Sequence, residues 1–351
     1  MAVYVAQTRD DITDTQLQDI LTRLRQVPAK ATTRRTRTGF LIVTWAETGP
    51  LLEAELARSE HLVRVLPESS SFPLAAREYR PEGSVVRVGA VPVGDGRPVI
   101  IAGPCSAETP EVLLETARAV RAAGADMLRV GVFKPRTSPY SFHGLGPDGL
   151  AMLRDARAET GLPVVTEILD VRDIDRVADA ADLLQVGARN MQNFTLLTEL
   201  ALTGRPVLLK RGLSATVHEW LNAAEYLLAH GNDHVILCER GIRTFERATR
   251  NTLDLNAVPV VKHLSHLPIL VDPSHGTGAT RYVPPMSAAA LAAGADGVIV
   301  EVHPRPAQAL SDGDQSLDLP EFAQLATDLR ALGEALGRGG VAAEPELVEL
   351  A

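Results

Sequence analysis

The chain has 351 residues, 45% of them apolar and 23% charged, a globular composition that excludes a fibrous or disordered protein. A formal net charge of −9 and an aromatic content of 4% exclude whole-surface attraction to nucleic acid or an anionic membrane, so any anionic ligand must be drawn by a local cluster of Lys and Arg. No apolar run approaches the roughly 18 residues that cross a bilayer, the opening MAVYVAQTRDD lacks a secretory pattern, and Cys105 and Cys238 cannot build a disulfide framework, so a cytoplasmic location is expected.

Alternating Val3 and Val5 predict a first strand, and Leu17, Ile20, Leu21 and Leu24 stripe a helix between Asp14 and Val27. A β-branched, basic run from Thr32 to Thr38 is separated by Gly39 from the apolar run Phe40 to Trp45. Pro50 marks a helix start, with Leu51, Leu52 and Leu56 inside it, and Leu62, Val63 and Val65 close the module. The order βαββαβ over residues 1–66 is that of a ferredoxin-like, ACT-like domain. Residues 67–84, rich in Ser, Arg and Glu, read as a linker.

From Val85 to Arg338 short apolar runs alternate with helical stretches: VIIAG, MLRVGVF, VVTEIL, LLQVGA, VLLKRG, HVILCERG, PILVDPSH and GVIVEVHP. Continuous apolar strands with helical crossovers predict a parallel sheet covered by helices. Eight such units, with no Gly-rich dinucleotide or phosphate loop, predict a closed (β/α)8 TIM barrel of the α/β class. Residues 339–351, with Pro345 and spaced Glu, read as a poorly ordered tail.

Active sites of such barrels form at the C-terminal strand ends. Those ends carry Arg129, Lys134, Arg136, Arg189, Lys210, Arg211 and Arg240, a basic rim on an acidic protein. Like charges at one mouth repel unless anions offset them, and Arg forks bind phosphate and carboxylate bidentately. A second set, Cys105, His275, Glu301 and Asp312, comes from strands that adjoin once the barrel closes. One thiolate, one imidazole and two carboxylates suit a divalent transition metal acting as a Lewis acid. Each also has a plainer reading: Cys105 as packing, His275 as a general base, Glu301 as an Arg partner, Asp312 as a turn residue before Gly313. Cys238 is in phase with Arg240 and is expected one layer deeper, as packing. His143 and His303 are expected at the rim, and His218, Glu219 and Glu225 as solvated helix residues.

The segments IAGPCSAET, LRVGVFKPRTSPYSFHGLG, QVGARNMQNF, LLKRG, CERGIRTFE, VDPSHGTG and IVEVHPRPAQALSDGDQSL together resemble the 3-deoxy-7-phosphoheptulonate (DAHP) synthase family, in its compact subtype with a ferredoxin-like N-terminal domain. The resemblance implies condensation of phosphoenolpyruvate with erythrose 4-phosphate and water, the first step of the shikimate pathway. It implies a divalent metal (Mn, Fe, Co or Zn) on Cys105, His275, Glu301 and Asp312. It implies phosphoenolpyruvate contacts at Arg129, Lys134, Arg189, Lys210 and Arg240, and erythrose 4-phosphate contacts at Lys134, Pro135, Arg136 and Thr137. Lys134, Cys105 and His275 become the catalytic candidates, with Lys134 as proton carrier. Feedback inhibition by Phe or Tyr at the N-terminal domain and a homo-tetramer are further implications. The chain departs from the family pattern at His143, where Gln is usual, and at Gly276-Thr277, where Ser-Gly is usual. Competing readings are 3-deoxy-octulosonate 8-phosphate synthase, acting on arabinose 5-phosphate, and a catalytically silent ligand-sensing barrel.

Overall fold

The structure, a computed structural model, describes residues 2–27, 29–36, 39–47, 49–67, 71–135 and 140–339. Its first part is β1 (Ala2–Thr8), α1 (Asp14–Gln26), β2 (Ala29–Thr36), β3 (Gly39–Ala46), α2 (Gly49–Ala57) and β4 (Leu62–Pro67). The strands form an antiparallel sheet in the order β2-β3-β1-β4, with Val5 opposite Val43 and Ala6 opposite Val65. Helix α1 starts where predicted because Thr13 accepts from the Gln16 amide while Gln16 returns a bond to the Thr13 backbone. Tyr4, Ala6, Ile42 and Ala46 on one face of the sheet pack with Leu17, Ile20, Leu24, Leu52 and Leu56 of the two helices. Val5 and Leu41, on the opposite face, join the main core.

The stretch expected as a linker is packed rather than solvated. Phe72, Leu74, Ala75 and Tyr79 are buried in the main core. The Leu74 and Ala75 amides donate to the Glu225 carboxylate at 3.0 and 2.8 Å, so Glu225 is not the solvated charge expected of it. Buried backbone donors need partners, and this helix carboxylate supplies them. Tyr79 donates its hydroxyl to Gln7 Oε1 at 2.6 Å and ties the sheet to the barrel.

A short hairpin, β5 (Val86–Val88) and β6 (Val91–Val93), precedes the barrel. The barrel strands are β7 (Val99–Gly103), β8 (Met127–Arg129), β9 (Val164–Ile168), β10 (Leu183–Val186), β11 (Val207–Lys210), β12 (Val235–Glu239), β13 (Ile269–Val271) and β14 (Gly297–Glu301). All eight pair in parallel and close on one another, as the apolar runs predict. Between them lie α3 (Pro110–Ala122), α4 (Gly149–Thr160), α5 (Ile174–Ala180), α6 (Phe194–Leu202), α7 (Val217–Ala229), α8 (Ala257–Leu264), α9 (Pro273–Thr277) and α10 (Val283–Ala292), and α11 (Leu319–Ala335) follows β14. Alternation along each strand sends one set of side chains to the helices and the other inward.

The inward set is layered. Val99, Ile101, Met127, Val165, Leu183, Leu208, Ile236, Cys238, Leu270 and Ile299 fill the barrel with Val86, Val88 and Val93 of the hairpin. The hairpin therefore plugs the bottom of the cylinder. Cys238 lies in this apolar layer, fully buried, as its phase predicts. Among the described residues no helix is long and apolar enough to cross a membrane.

Candidate active site

One pleat above the apolar layer, the inward positions become polar: Arg129, Glu167, Gln185, Lys210, Arg240, Asp272 and Glu301. Of these, Arg129, Glu167, Gln185, Lys210 and Arg240 line a cavity of about 320 Å³ together with Lys134, Pro135, Arg189, Arg250, His275 and Asp312. Arg136 and Thr137 lie outside the described residues.

The rim cations divide by their partners. Arg129 bonds to Glu301 Oε1, and Lys210 Nζ lies 2.5 Å from Asp272 Oδ2. Arg211 does not face the cavity. Its phase is opposite to that of Lys210, and its guanidinium pairs with Glu239 at 2.9 Å and Asp254 at 2.8 Å behind the strand. Among the described residues Lys134, Arg189 and Arg240 have no carboxylate partner. Lys134 Nζ donates to the Cys105 carbonyl at 2.7 Å and Arg240 to the Gly241 carbonyl at 3.2 Å. Burial pulls the Arg240 guanidinium below its ordinary value, against the fields of Asp272 and Glu239. An anion entering here would meet cations whose charge no protein acid has neutralised.

The second predicted set also converges. One ligand atom each from Cys105, Glu301 and Asp312 lie within 4.8 Å of one another. Cys105 Sγ is 3.1 Å from Asp312 Oδ2 and 3.0 Å from Ser311 Oγ. His275 stands beside this trio, its Nε2 3.4 Å from Glu301 Oε1. Asp272, the N-cap of α9, accepts from both the His275 amide and Nδ1, at 2.9 and 2.8 Å. That bond places the ring proton on Nδ1 and turns the Nε2 lone pair toward Glu301. Burial keeps His275 neutral, below its usual value despite Asp272 and Glu301. Burial would raise Asp272, but His275 and Lys210 outweigh it and hold the carboxylate well below its ordinary range. Burial, followed by the Glu301 charge, pushes the Cys105 thiol up to about 12.

These donors fit a divalent metal. They are buried, mixed in softness and close, the imidazole lone pair is aimed, and the thiol lacks only a cation to release its proton. Asp312 is the turn residue that the plainer reading describes as well as a candidate ligand. Its φ of 55° is the only left-handed value at a non-glycine among the described residues, a conformation Asp tolerates through its short polar side chain.

Several cavity residues were not singled out by spacing. Glu167 lines the wall, makes no ion pair among the described residues, and sits against Gly187, where a Cβ would overlap its carboxylate. Asp272 was legible as a neighbour of His275, three residues ahead. Arg250 lies in a loop without periodicity, and no pattern marked it; Gln315, behind the cavity wall, falls inside a segment that carries the resemblance but was given no role of its own. His303 is not at the rim: it is 3% exposed and lies 3.4 Å from Glu108 beneath the loop. His143 is exposed beside the mouth, its carbonyl accepting from the Lys134 amide at 2.9 Å.

The profile of the DAHP synthetase I family matches residues 75–337. Phospho-2-dehydro-3-deoxyheptonate aldolase of Thermotoga maritima is 54% identical over 278 residues, 79% of this chain and 81% of that protein. A 2-dehydro-3-deoxyphosphooctonate aldolase of Nitratidesulfovibrio vulgaris is 37% identical over 254 residues, 67% of this chain and 92% of that protein. The crystal structure of the Thermotoga maritima enzyme, titled a DAHP synthase, superposes with a TM-score of 0.76 at 44% identity, covering 96% of this chain and 99% of that one. A truncated form of 3-deoxy-D-arabino-heptulosonate 7-phosphate synthase from the same organism gives 0.72 at 51% identity over 76% of this chain and 98% of that one. With the barrel, its basic cavity and the thiol–carboxylate cluster in place, the chain belongs to the DAHP synthetase I family.

Proposed function

We propose that this protein condenses phosphoenolpyruvate with erythrose 4-phosphate and water, giving 3-deoxy-D-arabino-heptulosonate 7-phosphate and inorganic phosphate. The observation that carries the reading is the cavity itself: cations that have no acid partner among the described residues, beside a buried set of metal donors. Carbon 3 of the enol phosphate forms a bond to the aldehyde carbon, water adds at carbon 2, and the phosphohemiketal breaks its C–O bond to release phosphate.

In this reading Arg129 and Lys134 receive the phosphoenolpyruvate carboxylate, while Arg189, Lys210 and Arg240 surround its phosphate. Pro135 shapes the loop toward the second substrate, and Arg136 and Thr137 hold the sugar phosphate. Cys105, His275, Glu301 and Asp312 would hold a divalent metal such as Mn, Fe, Co or Zn. A metal there supplies Lewis-acid polarisation of the aldehyde oxygen. Holding both reactants in register removes much of the entropic barrier to joining a weak enol nucleophile to its electrophile. The position of Lys134, bonded to the Cys105 carbonyl and lining the cavity, supports its reading as the proton carrier to the new hydroxyl. Glu167 is suited to accept a hydrogen bond from the water that adds at carbon 2.

Residues 1–66 are proposed to form a domain that binds Phe or Tyr and controls the barrel, joined by 67–84 to a catalytic barrel over 85–338, in a homo-tetramer working in the cytoplasm. Phosphate release measured with phosphoenolpyruvate and each aldose phosphate, with and without a chelator, tests the catalytic reading. Preference for erythrose 4-phosphate and chelator-sensitive turnover are expected. Preference for arabinose 5-phosphate would overturn the substrate assignment, and turnover indifferent to chelation would overturn the metal.

A further inference from the structure

Glu301 is 1% exposed, and both of its oxygens are engaged by protein. Oε1 faces Arg129 and His275, while Oε2 accepts from Gln315 Nε2 at 2.6 Å. The other end of the same amide, Gln315 Oε1, accepts from Arg250 Nη1 at 2.7 Å. A carboxylate only accepts and a guanidinium only donates, so the two neighbours dictate which way the amide is turned. Gln315 is 2% exposed, and among the described residues Glu301 and Arg250 are the side chains that hydrogen-bond its amide.

Arg250 adds a second tie. The same Nη1 lies 3.1 Å from Asp312 Oδ1, leaving Oδ2 to Cys105. The backbone of Arg250 is fixed from the opposite side. Its amide donates to the Thr277 carbonyl at 2.9 Å, and the next amide donates to Gly276 at 3.0 Å. Asn251 Nδ2 meets the His275 carbonyl at 2.9 Å. One short segment thus joins the turn bearing His275, the left-handed turn bearing Asp312 and, through Gln315, the end of β14 bearing Glu301.

We propose that Gln315 and Arg250 are positioning residues of the metal centre, a relay that sets the Glu301 and Asp312 carboxylates against the His275 turn. The inference rests on the metal site proposed above. Neither residue needs to touch the reacting atoms. The relay explains why an amide stands at 315: a carboxylate there would meet Glu301 with like charge, and an apolar side chain would leave Oε2 without its donor.

Apo-protein titrated with Co2+, read by thiolate-to-cobalt charge transfer and d–d absorption and by competition with a chelator, tests it. Gln315→Leu, Gln315→Glu and Arg250→Met should each bind Co2+ about 10–100-fold more weakly, the range typical of lost outer-shell partners. Their d–d bands should shift, while metal-free Arg250→Met unfolds at a temperature close to that of the parent. Arg250→Lys, which keeps the charge but offers no planar fork, should restore only part of the affinity. Arg250 is partly exposed, so its variants report even if the buried position at 315 disturbs folding. Parent-like affinity and spectra in Arg250→Met and in whichever Gln315 variants fold would overturn the relay alone. A parent protein that binds no Co2+ through Cys105 would overturn the metal site and the relay together.

Discussion

Lys134 reaches the floor of the cavity because Gly131 leaves room for it: a Cβ there would stand 2.6 Å from the Cys105 carbonyl and 3.0 Å from Lys134 Nζ. Lys134→Met keeps the length of the side chain and deletes its protons, so turnover should fall by about 100-fold or more with the fold intact. Near-normal turnover would remove Lys134 from the chemistry. Gly187→Ala drives a methyl group into the Glu167 carboxylate. Activity should fall at least about tenfold, since a displacement near 1 Å is enough to disturb a reacting geometry. Unchanged steady-state constants would show that Glu167 moves aside freely. At this scale the sequence was legible where period two could be counted. Cys238 and Arg240 fall in the expected phase, one layer apart, and Cys105, Lys210 and Glu301 lie at or just past strand ends as expected. Arg211 departs from the rim expectation because closeness to a strand end does not fix orientation, and its neighbour Lys210 already occupies the inward phase. Arg250 was illegible because loop side chains follow no repeat, and for Gln315, inside a segment that carries the resemblance, no spacing pointed to a role.

Elements were more legible than their contacts. Each barrel strand carries an apolar pair or run, with Thr166, Glu167 and Gln185 as interior polar residues of β9 and β10, so the eight-unit count followed from these runs and the helical stretches between them. The packing of residues 71–84 did not, because Phe72, Leu74 and Tyr79 are scattered among Ser, Arg and Glu, and their partners lie on distant helices. The apolar layer inside the barrel gives a sharp expectation. Leu208→Ala, at a fully buried position held by eight strands that cannot close inward, should destabilise the protein by about 2–5 kcal/mol. A shift in the urea midpoint with unchanged slope checks it. Removing residues 1–67 tests the proposed control domain. The truncated chain should still turn over but escape Phe or Tyr, and it should melt at a lower temperature because Val5 and Leu41 no longer cover the main core. A truncated protein still inhibited by either amino acid would end that proposal.

At the scale of the whole molecule, the junction between sheet and barrel sets a pH dependence. His266 is 3% exposed; Nε2 donates to the Leu74 carbonyl at 2.7 Å, and Nδ1 lies 2.8 Å from Ser84 Oγ. Burial lowers its value to about 4, against a backbone bond that favours the charged ring. The unfolded chain takes up this proton near the ordinary 6.5, so between these values it binds more protons than the native state. The contribution is therefore complete above about 6.5 and is lost as the pH falls toward 4. Between pH 7 and pH 5 it amounts to about 2 kcal/mol, so His266→Gln should show a correspondingly shallower loss of stability over that interval. Equal slopes in parent and variant would remove His266 as the cause.

The valine hairpin at the base of the cylinder has a consequence for traffic. Because it seals the floor, the barrel is a cul-de-sac whose entrance is also its exit. Whichever molecule settles deepest has to arrive first and depart last, and a product lingering at the doorway blocks the next arrival. In the proposed reaction, liberated phosphate and fresh enol phosphate would queue for the same berth.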